Sequence, residues 1–161
     1  MAIISDDNIY LEKVINDEQK SIIEKITSDE EYLEYIGEIN VDRYYNYLVL
    51  NNENIIGYVN FSNDLSFGVK STDINIFIIK EFRILSINSL MKTISFAFNE
   101  LDVDVCRFKV YKYNTRMNKI LKYFGISHSG KITNKEKVTY YYSITKDEFS
   151  EIRNNLNFVY G

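Results

Sequence analysis

The fold is decided by residues 73–126, DINIFIIKEFRILSINSLMKTISFAFNELDVDVCRFKVYKYNTRMNKILKYFGI. The opening run is apolar on both sides, with Ile74, Ile76 and Ile78 facing one way and Asn75, Phe77 and Ile79 the other. Such a strand is covered by helices on both faces and sits centrally in its sheet. A polar junction, Arg83-Ile84-Leu85-Ser86-Ile87-Asn88-Ser89, leads into Ile87, Leu90, Met91, Ile94, Phe98 and Leu101 at helical spacing. Residues 104–113 return to a period of two, with Cys106, Phe108 and Val110 inward and Arg107 and Lys109 outward. Asn114-Thr115 caps a second amphipathic helix with Met117, Ile120, Leu121 and Phe124 on one face and Gly125 at its end. A strand-to-helix junction leaves main-chain N–H groups without intrahelical acceptors and so attracts anions. The junction at 83–89, with Ser86 available as a helix cap, is the first candidate binding element.

Working outward, residues 9–14 predict a first strand, and Asn16-Asp17-Glu18 begins a helix carrying Ile22, Ile23 and Ile26. Ser28-Asp29-Glu30-Glu31 has the spacing of a capping box with Ser28 as the cap, and Gly37 and Asn40 end the helix that follows. Residues 44–50 and 55–62 are strands joined by the turn Asn51-Asn52-Glu53-Asn54. Asn63-Asp64 and Gly68 mark the next connection, after which Asp73 opens the third strand of a meander. Residues 138–144, VTYYYSI, form the last strand, and Lys146-Asp147-Glu148-Phe149 starts a terminal helix. The expectation is one α/β (α+β) domain over residues 1–161, with a mixed, mostly antiparallel sheet of six to seven strands flanked by helices on both faces.

With 161 residues, 45% of them hydrophobic, including 14 Tyr and 10 Phe, the chain has ample material for one core. No apolar run is long enough to cross a bilayer, and the N-terminus lacks a basic flank before an apolar segment, so a cytoplasmic protein without membrane contact is expected. The single cysteine, Cys106, excludes an internal disulfide and argues against a cysteine-based metal site. Net charge is −4, but unevenly spread. Residues 1–40 hold eleven acids (Asp6, Asp7, Glu12, Asp17, Glu18, Glu24, Asp29, Glu30, Glu31, Glu34, Glu38) against three lysines. Residues 105–135 hold eight bases (Arg107, Lys109, Lys112, Arg116, Lys119, Lys122, Lys131, Lys135) and no acid. That contrast reads either as solvated charged faces or as a site for a small polyanion on an acidic protein; a nucleic-acid partner is not expected at a pI near 5.1. The acidic helices suit helix starts, and they also suit the wall of a groove that receives an amine.

The order of elements resembles the GNAT superfamily of N-acetyltransferases across essentially the whole chain. The residues that carry the resemblance are Asn54-Ile55-Ile56-Gly57-Tyr58-Val59, the run from Asp73 to Ile79, Phe96-Ala97-Phe98-Asn99-Glu100-Leu101, and above all NTRMNKILKYFGI, where Asn114, Arg116 and Gly125 match the family pattern. The protein N-terminal and amino-sugar-nucleotide branches look most similar. Arg83 fits the family's pyrophosphate loop, whereas Ser86 and Asn88 stand where it has glycine, and Leu121 stands where it often has a proton-donating tyrosine.

What the resemblance implies is acetyl transfer from acetyl-CoA to a primary amine of a small molecule, amino sugar or peptide N-terminus, without a metal. Such chemistry needs a neutral amine, a donor for the oxyanion and a proton for the leaving thiolate. By resemblance, acetyl-CoA lies between the splayed ends of the strands that start at Asp73 and Asp104. Main-chain N–H groups of Phe77, Ile78 and Ile79 hold its carbonyl, and those of Leu85, Ser86, Ile87, Asn88 and Ser89 its pyrophosphate. Arg83, Asn114 and Arg116 complete the cofactor set, with Asn114 equally readable as a plain helix cap. Asp73 is the candidate general base, and Tyr111 and Tyr113 are candidate proton donors in place of Leu121. His128 lies off any motif. The alternative is the same fold kept as an inactive binding or regulatory module. The oligomeric state stays open, a homodimer included.

Overall fold

In the computed structural model, residues 8–37, 41–62, 64–66, 68–135 and 137–160 are described. Asp6, Asp7, Glu38, Asn40 and Asn63, all named above, lie outside them. The elements are β1 (Ile9–Lys13), α1 (Asp17–Thr27), α2 (Glu30–Tyr35), β2 (Tyr45–Asn51), β3 (Asn54–Phe61), β4 (Asp64–Ser66), β5 (Val69–Ile78), α3 (Ser86–Asn99), β6 (Val105–Tyr111), α4 (Thr115–Tyr123), β7 (Ser127–Asn134), β8 (Lys137–Thr145) and α5 (Lys146–Tyr160). Seven strands run in the order β1-β2-β3-β5-β6-β8-β7, and the short β4 pairs with the start of β5. Every pairing is antiparallel except that of β5 with β6. The doubly apolar strand is therefore central, between β3 and β6.

Its two faces feed two cores. On one side Ile23, Ile26 and Tyr32 of α1 and α2 pack against Leu48, Leu50 and Tyr58, with Phe77 edge-on to Tyr32. On the other, Leu90, Met91, Ile94, Ala97 and Phe98 of α3, Leu121 of α4 and Phe149 of α5 close over Val49, Val59, Ile74, Ile76, Ile78, Cys106 and Phe108. Most elements form where their periodicity places them. Asn16 caps α1 through a reciprocal pair with Gln19, at 2.8 and 3.1 Å. Gly125, at φ +72°, ends α4 with Gly125 N–H bonded to Lys122 O and Ile126 N–H to Leu121 O, the paired closure that a left-handed residue permits.

Several expectations are corrected. Asp29, not Ser28, caps α2, accepting from Glu31 N at 2.9 Å, while Ser28 closes α1. β5 begins four residues before Asp73, because β4 supplies a partner for Val69 to Ser71. The edge strand β7 was not expected: SHSGKITN has no apolar alternation and a bulge between His128 and Gly130. Residues 80–85 form 3₁₀ turns, kinked at Phe82, that lead directly into α3, not an open loop.

Two outcomes test this packing. A Cβ at Gly57 would lie 2.3 Å from the Phe77 carbonyl oxygen and 2.8 Å from Ile78 Cδ1. Gly57→Ala should therefore lower the urea midpoint, by a stability loss of about 1–3 kcal/mol. Cys106 is fully buried, and burial pushes its thiol up to about 12. Labelling by a thiol reagent should track unfolding, with native protein nearly inert.

Candidate functional site

The central feature is a fork. β5 and β6 pair only through Ser71–Val105, Thr72–Cys106 and Asp73–Arg107, and then separate. On its other edge β5 stays bonded to β3: Ser62 N donates to Asp73 O, and Ile79 N donates to Ile56 O at 2.8 Å. Bonded pairs alternate along an antiparallel ladder. Residues 73, 75, 77 and 79 thus turn their main-chain groups to β3, whereas Ile76 and Ile78 turn theirs into the gap. Of the three residues expected to hold a carbonyl, Phe77 and Ile79 turn their main-chain groups to the sheet and Ile78 turns its own into the gap, together with Ile76, absent from the sequence reading.

The other arm of the fork is held by Asn118, a residue the sequence reading passed over inside the apolar stripe of α4. Its Nδ2 donates to Asn114 O at 2.9 Å and Tyr111 O at 3.1 Å, and its Oδ1 accepts from Tyr142 Oη. Asn114 Oδ1 accepts from Met117 N at 3.3 Å, so Asn114 is a helix cap and also lines the cleft. The polar residue four positions after the cap was the available clue.

A cleft opens at the gap, lined by Ile76, Phe77, Ile78, Arg83, Ser86, Asn114, Thr115, Arg116, Met117 and Ile120, with Glu31, Tyr35 and Ile36 of α2 on the facing wall. Leu121 lines no part of it and is fully buried in the core. At its floor α3 starts at Ser86, and neither Ser86 nor the preceding Leu85 supplies a side-chain cap. The expected cap role of Ser86 is therefore corrected: it is the first helical residue, its N–H bonded to Arg83 O. Leu85 and Ile87 pack against the core, and Ser89 is buried with a hydroxyl that has no partner. Of residues 83–89, Arg83 and Ser86 line the cleft.

The charges are arranged unexpectedly. Arg83 Nη2 pairs with Glu31 Oε1, both side chains largely covered. Burial, then the neighbouring Arg116 guanidinium, hold Arg83 below its ordinary value. Arg83 and Arg116 thus bring two like charges to the start of α3, and the Glu31 carboxylate sits against Arg83 there. The other bases of residues 105–135 do not converge there: Lys119, Lys122, Lys131 and Lys135 are exposed elsewhere.

On the α1/α2 face of the sheet a second cavity, of about 270 Å³, is lined by Tyr35, Ile36, Tyr44, Asp73, Ile74, Asn75, Lys109, Tyr111, Thr139 and Tyr141. Asp73 Oδ1 accepts from Arg107 Nε at 2.9 Å, and its Oδ2 lies 3.8 Å from Lys109 Nζ. Tyr111 lines this cavity and stacks on Tyr113, with ring centroids 5.3 Å apart. Tyr113 lines neither space; its hydroxyl donates to Glu34 O, and burial followed by Tyr111 and Glu34 raises its proton affinity. His128 lies on β7, edge-on to Tyr140 and Tyr142. The structure thus brings Arg83, Ser86, Asn114 and Arg116 to one space and Asp73 and Tyr111 to another. Tyr35 and Ile36 border both.

No protein-family profile matches the chain, and no curated protein sequence does. Solved structures do. The spermidine N-acetyltransferase of Vibrio cholerae, in complex with CoA and spermine, superposes with a TM-score of 0.74 at 12% identity, over 89% of this chain and 98% of that one. An aminoglycoside N(6′)-acetyltransferase of Legionella pneumophila gives 0.72 at 13%, over 92% and 96%. The aminoglycoside acetyltransferase AAC(6′)-Ib in complex with coenzyme A gives 0.73 at 14%, over 90% and 99%. At these identities the likeness shows the fold, and the fold is that of the GNAT N-acetyltransferases.

Because Glu31 pairs with Arg83 at the cleft, Glu31→Gln should tighten binding of inorganic pyrophosphate by about three- to tenfold. Isothermal titration at low ionic strength measures it, and Arg83→Gln should weaken binding in the same assay.

Proposed function

We propose that the chain is an acyl-CoA-dependent N-acetyltransferase working on a primary amine in the cytoplasm. The observation that carries the reading is the fork between β5 and β6, which turns the main-chain groups of Ile76 and Ile78 into a gap that ends at the start of α3. The fit to acetyl-CoA is chemical. Amide groups along the gap suit an extended, amide-bearing arm, and the guanidiniums of Arg83 and Arg116 at the start of α3 suit a diphosphate.

When bound, acetyl-CoA supplies the acyl group as an activated thioester. The residues of the chain do the rest. Ile76 and Ile78 N–H stabilise negative charge on the carbonyl oxygen as the amine adds. Arg83 and Arg116 fix the donor from its charged end, Arg83 after leaving Glu31. The cavity beside Asp73 presents the amine, and Asp73 itself orders Arg107 and Lys109 at the fork. Attack is direct and sequential, with no acyl-enzyme intermediate: the C–N bond forms, the C–S bond breaks, and CoA leaves as a thiolate that takes up, through water, the proton shed by the amine.

A second reading has its own support. Ser86 and Asn88 replace glycine, Leu121 is buried, and neither Tyr111 nor Tyr113 lines the cleft. A module that binds CoA without turnover would look the same. A thermal-shift titration separates both readings from none: CoA at 100 times its dissociation constant should add about 2.7 kcal/mol of stability. Absence of a shift at millimolar CoA overturns the proposal. A shift with no thiol release from acetyl-CoA, across varied amines, favours the binding module.

A further inference from the structure

We infer that the acceptor is a single amine carried by an anionic molecule, its carboxylate or phosphate met by Lys109 and its body laid against tyrosine rings. This rests on the acyltransferase reading and goes beyond it. The structural neighbours were solved with spermine or are named for aminoglycosides, both polycations. A site for several ammonium groups needs several carboxylates, since like charges brought together disfavour binding strongly. Here the cavity has one among the described residues, Asp73. That carboxylate is met by two cations, Arg107 at 2.9 Å and Lys109 at 3.8 Å.

The surrounding face adds positive charge. Register places Lys109 opposite Tyr141 and Tyr111 opposite Thr139, so these side chains share one face of the sheet. Lys137 reaches over the Tyr111 ring, its Nζ 5.2 Å from the centroid. The acids of α2 do not offset this: Glu31 is paired with Arg83, and neither Glu30 nor Glu34 lines the cavity. Lys109 is 56% exposed and can follow a ligand without breaking the fold. Tyr35, Tyr44, Tyr111 and Tyr141 give the cavity flat, amphipathic walls suited to a planar or sugar-like body. Nearby cations also favour the uncharged form of an amine, which is the nucleophilic one. A site poor in free carboxylate therefore still activates its substrate, provided the substrate brings its own anion.

The test uses matched pairs. Glycyl-tyrosine is compared with glycyl-tyrosine amide, glucosamine 6-phosphate with glucosamine, and spermine stands as the polycation. Turnover with acetyl-CoA and equilibrium binding, with and without CoA, are both measured. The anion-bearing member of at least one pair should exceed its neutral partner in kcat/KM or affinity by about tenfold, with spermine weaker still. Which pair shows the effect distinguishes carboxylate from phosphate. Lys109→Met should erase that ratio and Lys109→Glu invert it, with CoA binding unchanged. Equal affinities within both pairs, a preference for spermine, ratios unmoved in the Lys109 variants, or no binding by any anionic amine would each overturn the inference. Failure to bind CoA sinks the acyltransferase reading alone, because the amine titrations on CoA-free protein still report the preference.

Discussion

Everything functional in this molecule depends on two parallel strands that stop pairing after three residues. The separation persists because each arm is anchored on its far side. β5 is stitched to β3 through Ile79, and β6 is paired with β8 along its whole length. Asn118 ties the end of β6 to α4 through the carbonyls of Tyr111 and Lys112, at 3.1 and 3.4 Å. At the crotch the Asp73–Arg107 pair bridges the strands where pairing ends. Main-chain groups left inside such a gap require a polar partner, because a dry, unsatisfied N–H costs about 1–3 kcal/mol. The fork therefore leaves backbone hydrogen-bonding capacity facing an open cleft.

The second organising element is charge. An acidic chain concentrates Arg83 and Arg116 at the foot of α3 and neutralises them in part with Glu31. Leaving the largely covered Arg83 guanidinium beside the exposed Arg116 is unfavourable, and the carboxylate relieves it. The same logic recurs at Asp73, where Arg107 and Lys109 converge. In one site the acid pairs with a single guanidinium. In the other it is the minority charge between two cations.

Much of the scaffold was legible from the sequence. Ile74 to Ile79, apolar on both faces, marked the central strand, and the 3.6-residue spacing of Leu90, Met91, Ile94 and Phe98 marked the helix behind it. What stayed hidden was set by partners rather than by pattern. β7 is polar and solvent-washed, so no alternation announces it. The 3₁₀ turn at residues 80–85 reads as loop because its side chains divide between solvent and core. The site was legible as a region and not as roles. Nothing local says that Ile76, rather than Phe77, turns its amide to the gap; that follows from the phase of the β3 ladder. Nor can spacing reveal that Glu31 reaches across fifty residues to Arg83.

The six-residue α2 has one more consequence. Tyr35 and Ile36 form a party wall between the cleft and the second cavity, the proposed donor and acceptor spaces, and Glu31, one turn earlier, makes the salt bridge to Arg83. Under the proposed reading, a diphosphate that draws Arg83 from Glu31 removes one tie of this helix, which the buried Tyr32 still anchors to the sheet, and so reaches the aromatic side of the neighbouring chamber. Linkage makes the relation mutual: whatever the first guest does to the affinity of the second, the second returns in equal measure.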